Sequence, residues 1–225
     1  MKKITLLAVA AFTAMLSFTS CNSDGTSFEW PTLEQTKSMV SNLGFYQDGS
    51  FVYYNENKAN TKDVTDTIPN ITATITTNTK KDQQGNISSY YGTATFNFPT
   101  KVLANFISDK PLSEAVANME SKKMTVELVP YSYASQVFLA NPEDLKLGDI
   151  TAGGKTYKDV TVKFYVNYYT AGYITNSVTK KQYFAFSMLA AAIYVNSNPT
   201  GYLQQHEINN YKVDPAFMFT TDKQQ

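Results

Sequence analysis

The stretch YFAFSMLAAAIYV, residues 183–195, decides the fold. It is apolar on both faces, so periodicity alone cannot separate a buried helix from a buried strand. Aromatic and β-branched residues sit at both ends, Tyr183, Phe184 and Phe186 at one and Ile193, Tyr194 and Val195 at the other. Such residues suit a pleated sheet. The stretch is therefore predicted to be a long central strand.

Its sequence neighbours support a sheet. VTVKFYVNY (160–168) alternates, with Val160, Val162, Phe164, Val166 and Tyr168 predicted on one face. TAGGKTY (151–157) reads as a glycine turn leading into it. AFMFTT (216–221) is a predicted terminal strand. Further upstream, ITATITT (71–77), TATFNF (93–98) and KMTVELV (123–129) each place small or apolar residues opposite polar ones. That pattern fits half-buried antiparallel strands. DQQGN (82–86) is a turn. Asp48-Gly49 within FYQDGSFVYY (45–54) predicts a hairpin or a bulge, residues 55–67 read as a loop, and NPEDLKLGDI (141–150) as a connector.

Helical signals are few. In TLEQTKSMVSNLG (32–44), Thr32 and Gln35 form a capping box and Gly44 can close the C-terminus, so a helix is predicted over 32–43. Val102, Leu103, Phe106 and Ile107 have helical spacing, and PLSEAVANM (111–119) places Pro111 in a first turn. The expected fold is α+β and predominantly antiparallel β. A sandwich or partly open barrel carries an N-terminal helix and a short helical insertion. No repeat appears at solenoid periods.

The N-terminus reads as an address. Lys2 and Lys3 precede an apolar stretch from Ile4 to Leu16, and Ser17–Ser20 is polar except for Phe18. This is the layout of a secretory signal, and the apolar zone is short for a membrane span. FTSC (18–21) looks like a bacterial lipobox, with Phe18 where an aliphatic residue is usual. Cleavage would leave Cys21, the only cysteine, first and available for lipidation. Two or three acyl chains exceed the threshold for stable anchoring. The organisation expected is a signal peptide at 1–20, a lipidated tether at 21–30 and a single β-rich domain at 31–225. Asn22 is not the aspartate that favours inner-membrane retention, so the outer membrane is expected. Asp24 and Glu29 are too few acids to choose a leaflet.

Charge narrows the partners. The chain has 19 basic and 19 acidic residues, and every Lys+Arg position is lysine. Without Lys2 and Lys3 the balance is seventeen against 19, a net charge of −2. Lacking arginine and any basic excess, the chain is a poor candidate for nucleic acid.

No catalytic motif holds, so no catalytic, cofactor or metal residue is assigned. GDITAGGKT (148–156) misses the phosphate-loop spacing before Gly154-Lys155 by one residue and precedes a strand where a helix is needed. SVTK (177–180) offers Ser177 in a Ser-x-x-Lys, without the companion motifs of acyl-transferring enzymes. His206 is the single histidine and cannot build a histidine zinc site alone. Asp63 and Asp66 do not make a calcium loop. A glycoside hydrolase needs only two carboxylates, for which Glu127, Asp159 and Glu207 are candidates without a preferred pair. The tyrosines of SSYYGT (88–93), VPYSYAS (129–135) and FYVNYYTAGYIT (164–175) can form a sugar platform or partner surface, or simply line the margin of a sheet.

The chain resembles small lipoproteins of Bacteroidetes grouped in domain-of-unknown-function families. The likeness rests on MKK…FTSCNSD, the polar tether, the helix ending in Gly44 before FYQDGSF, and TATFNFPTKVLANFISD leading into PLSEAVANM. The resemblance implies an envelope address and a β-rich fold, with no catalytic residue. The reading is a lipid-anchored envelope protein, a binding or structural module for a glycan, a peptide or another envelope protein. The alternative is a carboxylate-dependent glycoside hydrolase.

Overall fold

The computed structural model describes residues 29–54, 65–175, 182–208 and 211–221. The predicted signal peptide (1–20), Cys21, Asp63 and Ser177 lie outside these residues. The chain enters through helix α1 (Leu33–Ser41). Its capping box is formed: Thr32 N donates to Gln35 Oε1 at 2.9 Å, and Gln35 N donates to Thr32 Oγ1 at 3.4 Å. These bonds satisfy amides that have no partner inside the helix.

The strands follow as β1 (Tyr46–Tyr54), β2 (Thr65–Lys81) and β3 (Ile87–Phe98). A 3-10 helix (Thr100–Phe106) and α2 (Lys110–Ala117) interrupt them. Next come β4 (Lys122–Ser132), β5 (Val137–Pro142), β6 (Leu145–Ala152), β7 (Lys155–Phe164), β8 (Tyr169–Thr175) and β9 (Gln182–Val195). The short β10 (Asn198–Thr200), β11 (His206–Ile208) and β12 (Tyr211–Val213) precede β13 (Ala216–Thr221).

Eight strands, in the order β13-β1-β2-β3-β4-β5-β8-β9, close into a barrel through antiparallel pairing of β13 with β9. The barrel is closed, so it is neither the sandwich nor the partly open barrel expected from sequence. Closure removes the barrel's own edges, on which other chains could pair. β9 is the central strand predicted over 183–195. Its first half pairs with β8 and β13; its second half leaves the barrel and pairs with β7 and β10. β6 and β7 thus form a flanking sheet with the outer part of β9.

Barrels of eight strands have interiors that side chains can fill. Phenylalanine fills this one. Phe51 stacks on Phe217 at 5.8 Å and meets Phe98 edge-on at 5.0 Å, while Phe186 stacks on Phe219 at 5.1 Å. Each such burial contributes about 1.5–3 kcal/mol. Val52, Ala185, Leu189, Ala216 and Met218 form a second buried cluster, on the alternate positions of β1, β9 and β13. Burial of both alternations explains why 184–189 carries apolar residues on both faces, with Ser187 the one buried polar side chain. Met39, Val40 and Leu43 of the α1 segment join the core where β1 begins, and Phe106 packs on Phe217 at 5.7 Å towards the other end.

The structure decides one open local expectation, for the bulge at Asp48-Gly49, and corrects three. Asp48-Gly49 is no hairpin; it lies inside β1, where the register shifts between Gly49 and Phe51. A Cβ on Gly49 would stand 2.3 Å from Thr220 O, so the dipeptide marks a bulge pressed against β13. Asp66 and Thr67 belong to β2 and not to a loop. The connector at 141–150 is largely β6: Leu145, Leu147 and Ile150 are buried, and a register shift at Gly148 breaks the period of two. The face of 160–168 ends at Phe164, because Asn167 turns to φ 55° and leaves Val166 and Tyr168 exposed. The glycine turn at Gly153-Gly154 is a hairpin, both residues having positive φ, as the primed turns require.

Candidate functional site

The break after Phe164 creates a cleft. Tyr165 N donates to Leu189 O at 3.0 Å, and Ala190 N donates to Pro215 O at 2.9 Å. These bonds fix the crease at which β9 leaves the barrel. Ala191 and Ala192, just past the crease, are too small to fill the space above them. The segment after β10 forms one wall: Gln204 N donates to Phe106 O at 2.8 Å, which holds Gln204 and Gln205 in place. Tyr165 and Asp214 form the other. The cleft measures about 630 Å³ and is further lined by Thr200 and Leu203. That volume lies in the range of small-molecule sites, about 300–1,000 Å³.

Polar groups converge within it. Gln205 Nε2 donates to Asp214 Oδ1 at 3.0 Å. The Tyr165 hydroxyl donates to Asp214 Oδ2 across a long 3.5 Å. The Asp214 charge, ahead of burial, pushes the Tyr165 phenol above the ordinary tyrosine range. Tyr165 lines the cleft and Tyr168 packs beside it: they are 39% and 57% exposed, with ring centroids 5.5 Å apart and planes inclined by 36°. Among the described residues the arrangement offers aromatic faces, side-chain amides and one carboxylate, groups able to hydrogen-bond hydroxyls and cover apolar faces.

A second cavity, of about 430 Å³, lies on the flanking sheet beside Asp144, Lys146, Asp159 and Lys163. Lys163 bonds Asp144 and stands over the Tyr194 ring at 5.5 Å. Lys158 bonds Asp149 at 2.5 Å, and with the Asp159 amide this holds the Asp149 carboxyl below its usual range. Asp144 and Asp149 are thus each paired with a neighbouring lysine.

The acids named from sequence are dispersed. Glu127 is on β4, 3.9 Å from Lys80 in an ion pair, and Asp159 is on β7 with φ 47°. His206 and Glu207 fall in β11. Among the described residues no group of three His, Cys, Asp or Glu side chains is placed to hold a metal. Of the tyrosine-rich stretches, FYVNYYTAGYIT supplies the cleft. Gln204, Gln205 and Asp214 escaped sequence reading; the turn signal at Asp214-Pro215 was the only local hint.

The architecture defines a class, a closed phenylalanine-filled antiparallel barrel with a flanking sheet and a polar cleft at their junction. Within it, residues 43–195 match the family described as Domain of unknown function (DUF4840), and the chain belongs to that family. The matched region runs through β9 and carries Tyr165, Tyr168, Ala191 and Ala192; the Gln204–Asp214 wall and the closing strand β13 lie beyond it. No curated protein matches the chain.

Proposed function

We propose that this protein is a lipid-anchored module of the outer membrane that binds glycan in the cleft without turning it over. The observation that carries the reading is the exposed Tyr165–Tyr168 pair beside Asp214 and Gln205. Sugar rings present apolar C–H faces, which tyrosine rings cover, and dense hydroxyls, which amides and carboxylates bind. The long Tyr165–Asp214 bond is weak, so a ligand hydroxyl can replace it. Anchoring at Cys21 is supported by the signal-like start and the lipobox-like FTSC.

Binding is favoured over hydrolysis because, among the described residues, Asp214 is the single carboxylate lining the cleft, and glycosidases use two. The test is calorimetric titration of the full chain with a panel of neutral and amino-sugar oligosaccharides, with reducing-end release assayed in parallel. Binding without release supports the reading. Release of reducing ends would replace it with the hydrolase, and absence of binding across the panel would remove the glycan.

A further inference from the structure

The exposed large apolar side chains divide by position. Tyr165, Val166 and Tyr168 flank the cleft. Trp30, Leu33, Phe45, Ile87 and Tyr133 belong instead to the end of the barrel at which the chain enters. The topology places them there. Trp30 and Leu33 begin the α1 segment, and Phe45 links α1 to β1. Tyr90 N donates to Thr36 Oγ1 at 3.2 Å, which brings the start of β3, with Ile87, to α1. Tyr133 follows the end of β4. Trp30 meets Tyr131 edge-on at 5.7 Å, yet remains 61% exposed, and Tyr133 is 42% exposed.

Trp30 also follows Cys21 by nine residues. A fully extended tether of that length reaches about 30 Å at most. An acylated Cys21 would therefore keep this corner close to a bilayer. Tryptophan and tyrosine concentrate at headgroup depth, where the apolar ring and the polar N–H or O–H are each accommodated.

We infer that the Trp30–Tyr131–Tyr133 corner seats in the headgroup layer of a lipid surface and orients the barrel. This rests on the anchoring reading, not on the glycan. Its consequence is geometric. Ser132 is on a rung with Val137, Gly172 and Ala185. Six residues further along β9, about 20 Å at 3.3 Å per residue, stands Ala191 in the cleft. The corner and the cleft are at opposite ends of the strands, so seating one on lipid presents the other outward.

The chain has one tryptophan, so its fluorescence reports this corner alone. The experiment uses the full processed protein in phosphatidylethanolamine–phosphatidylglycerol vesicles. The lipids carry bromine either near the headgroup or near the chain terminus. Trp30 emission is expected to shift to the blue and to be quenched more by shallow than by deep bromine. In Tyr133→Ser, with an unchanged circular dichroism spectrum, shallow quenching should fall by about half. Emission unchanged from solution and quenched by neither lipid overturns the inference. So does a blue shift that depends on protein concentration without lipid quenching, because a second copy then covers the corner. Mass spectrometry of the same sample reads acylation separately. An acylated protein with unquenched Trp30 overturns the corner alone; an unacylated one overturns the anchor.

Discussion

The Tyr157 hydroxyl donates to Asp109 Oδ1 at 2.6 Å, joining the flanking sheet to the N-cap of α2. The same oxygen accepts from Leu112 N at 3.1 Å, and Lys155 Nζ stands 3.9 Å from the other. Lys155 also donates to the Tyr202 hydroxyl at 3.1 Å, so the wall leading to Gln204 is tied to the same point. One carboxylate thereby holds the α2 cap and the hairpin together, and with them the elements that frame the cleft.

Removing the two partners should therefore cost different amounts. Tyr157→Phe loses one hydrogen bond to a charged group, about 1.5–3 kcal/mol. Asp109→Ala loses that bond and the cap, itself about 1 kcal/mol, and leaves a buried hydroxyl without a partner. Urea denaturation should rank Asp109→Ala as the more destabilised. Equal losses would mean that the cap contributes nothing.

The same bond sets an alkaline limit. Hydrogen bonding to Asp109, then burial, pushes the Tyr157 phenol up to about 12 from 10.0. The folded value is raised, so its stabilisation is complete below the unfolded value and is lost as pH rises through the folded one. Stability should fall between pH 10 and 12, and Tyr157→Phe should flatten that fall. Thermal melts across the window, with tyrosinate absorbance followed in parallel, provide the check.

Gly49 tests closure of the barrel. Its Cβ position meets the backbone oxygen of Thr220 at 2.3 Å, which no rotamer relieves. Gly49→Ala should push β1 from β13 and cost about 1–3 kcal/mol or more, as overpacking does. Faster hydrogen exchange at the amides of Phe217–Thr221 would locate the damage; unchanged exchange there would contradict the closure argument.

In the cleft, Tyr168→Ala should weaken glycan binding about tenfold with little change in stability, since Tyr168 is 57% exposed. Asp214→Asn keeps the shape and removes the charge, so the Tyr165 phenol should titrate nearer its ordinary value. Ultraviolet titration of Tyr165→Phe against Asp214→Asn isolates the change.

How far the sequence could be read follows from where period two survives. TATFNF keeps it, and Ala94, Phe96 and Phe98 point into the barrel as expected. LKLGDI loses it at the Gly148 shift, so β6 passed for a connector. VFLANP is a six-residue strand with adjacent Val137 and Phe138 both buried, which masks alternation in β5. Closure was out of reach, because it depends on β13 finding both β1 and β9. The cleft was half legible. Its tyrosines stand out in FYVNYYTAGYIT, whereas Asp214 meets Tyr165 across 49 residues of chain, a pairing that no local pattern encodes.

The central claim is that the crease between barrel and flanking sheet holds a sugar, and chemical-shift mapping during oligosaccharide titration tests it most directly. The expected result is saturable shifts confined to Tyr165, Tyr168, Ala191, Ala192, Gln204 and Gln205, absent in Tyr168→Ala. Shifts centred elsewhere, or none at saturating sugar, would contradict it.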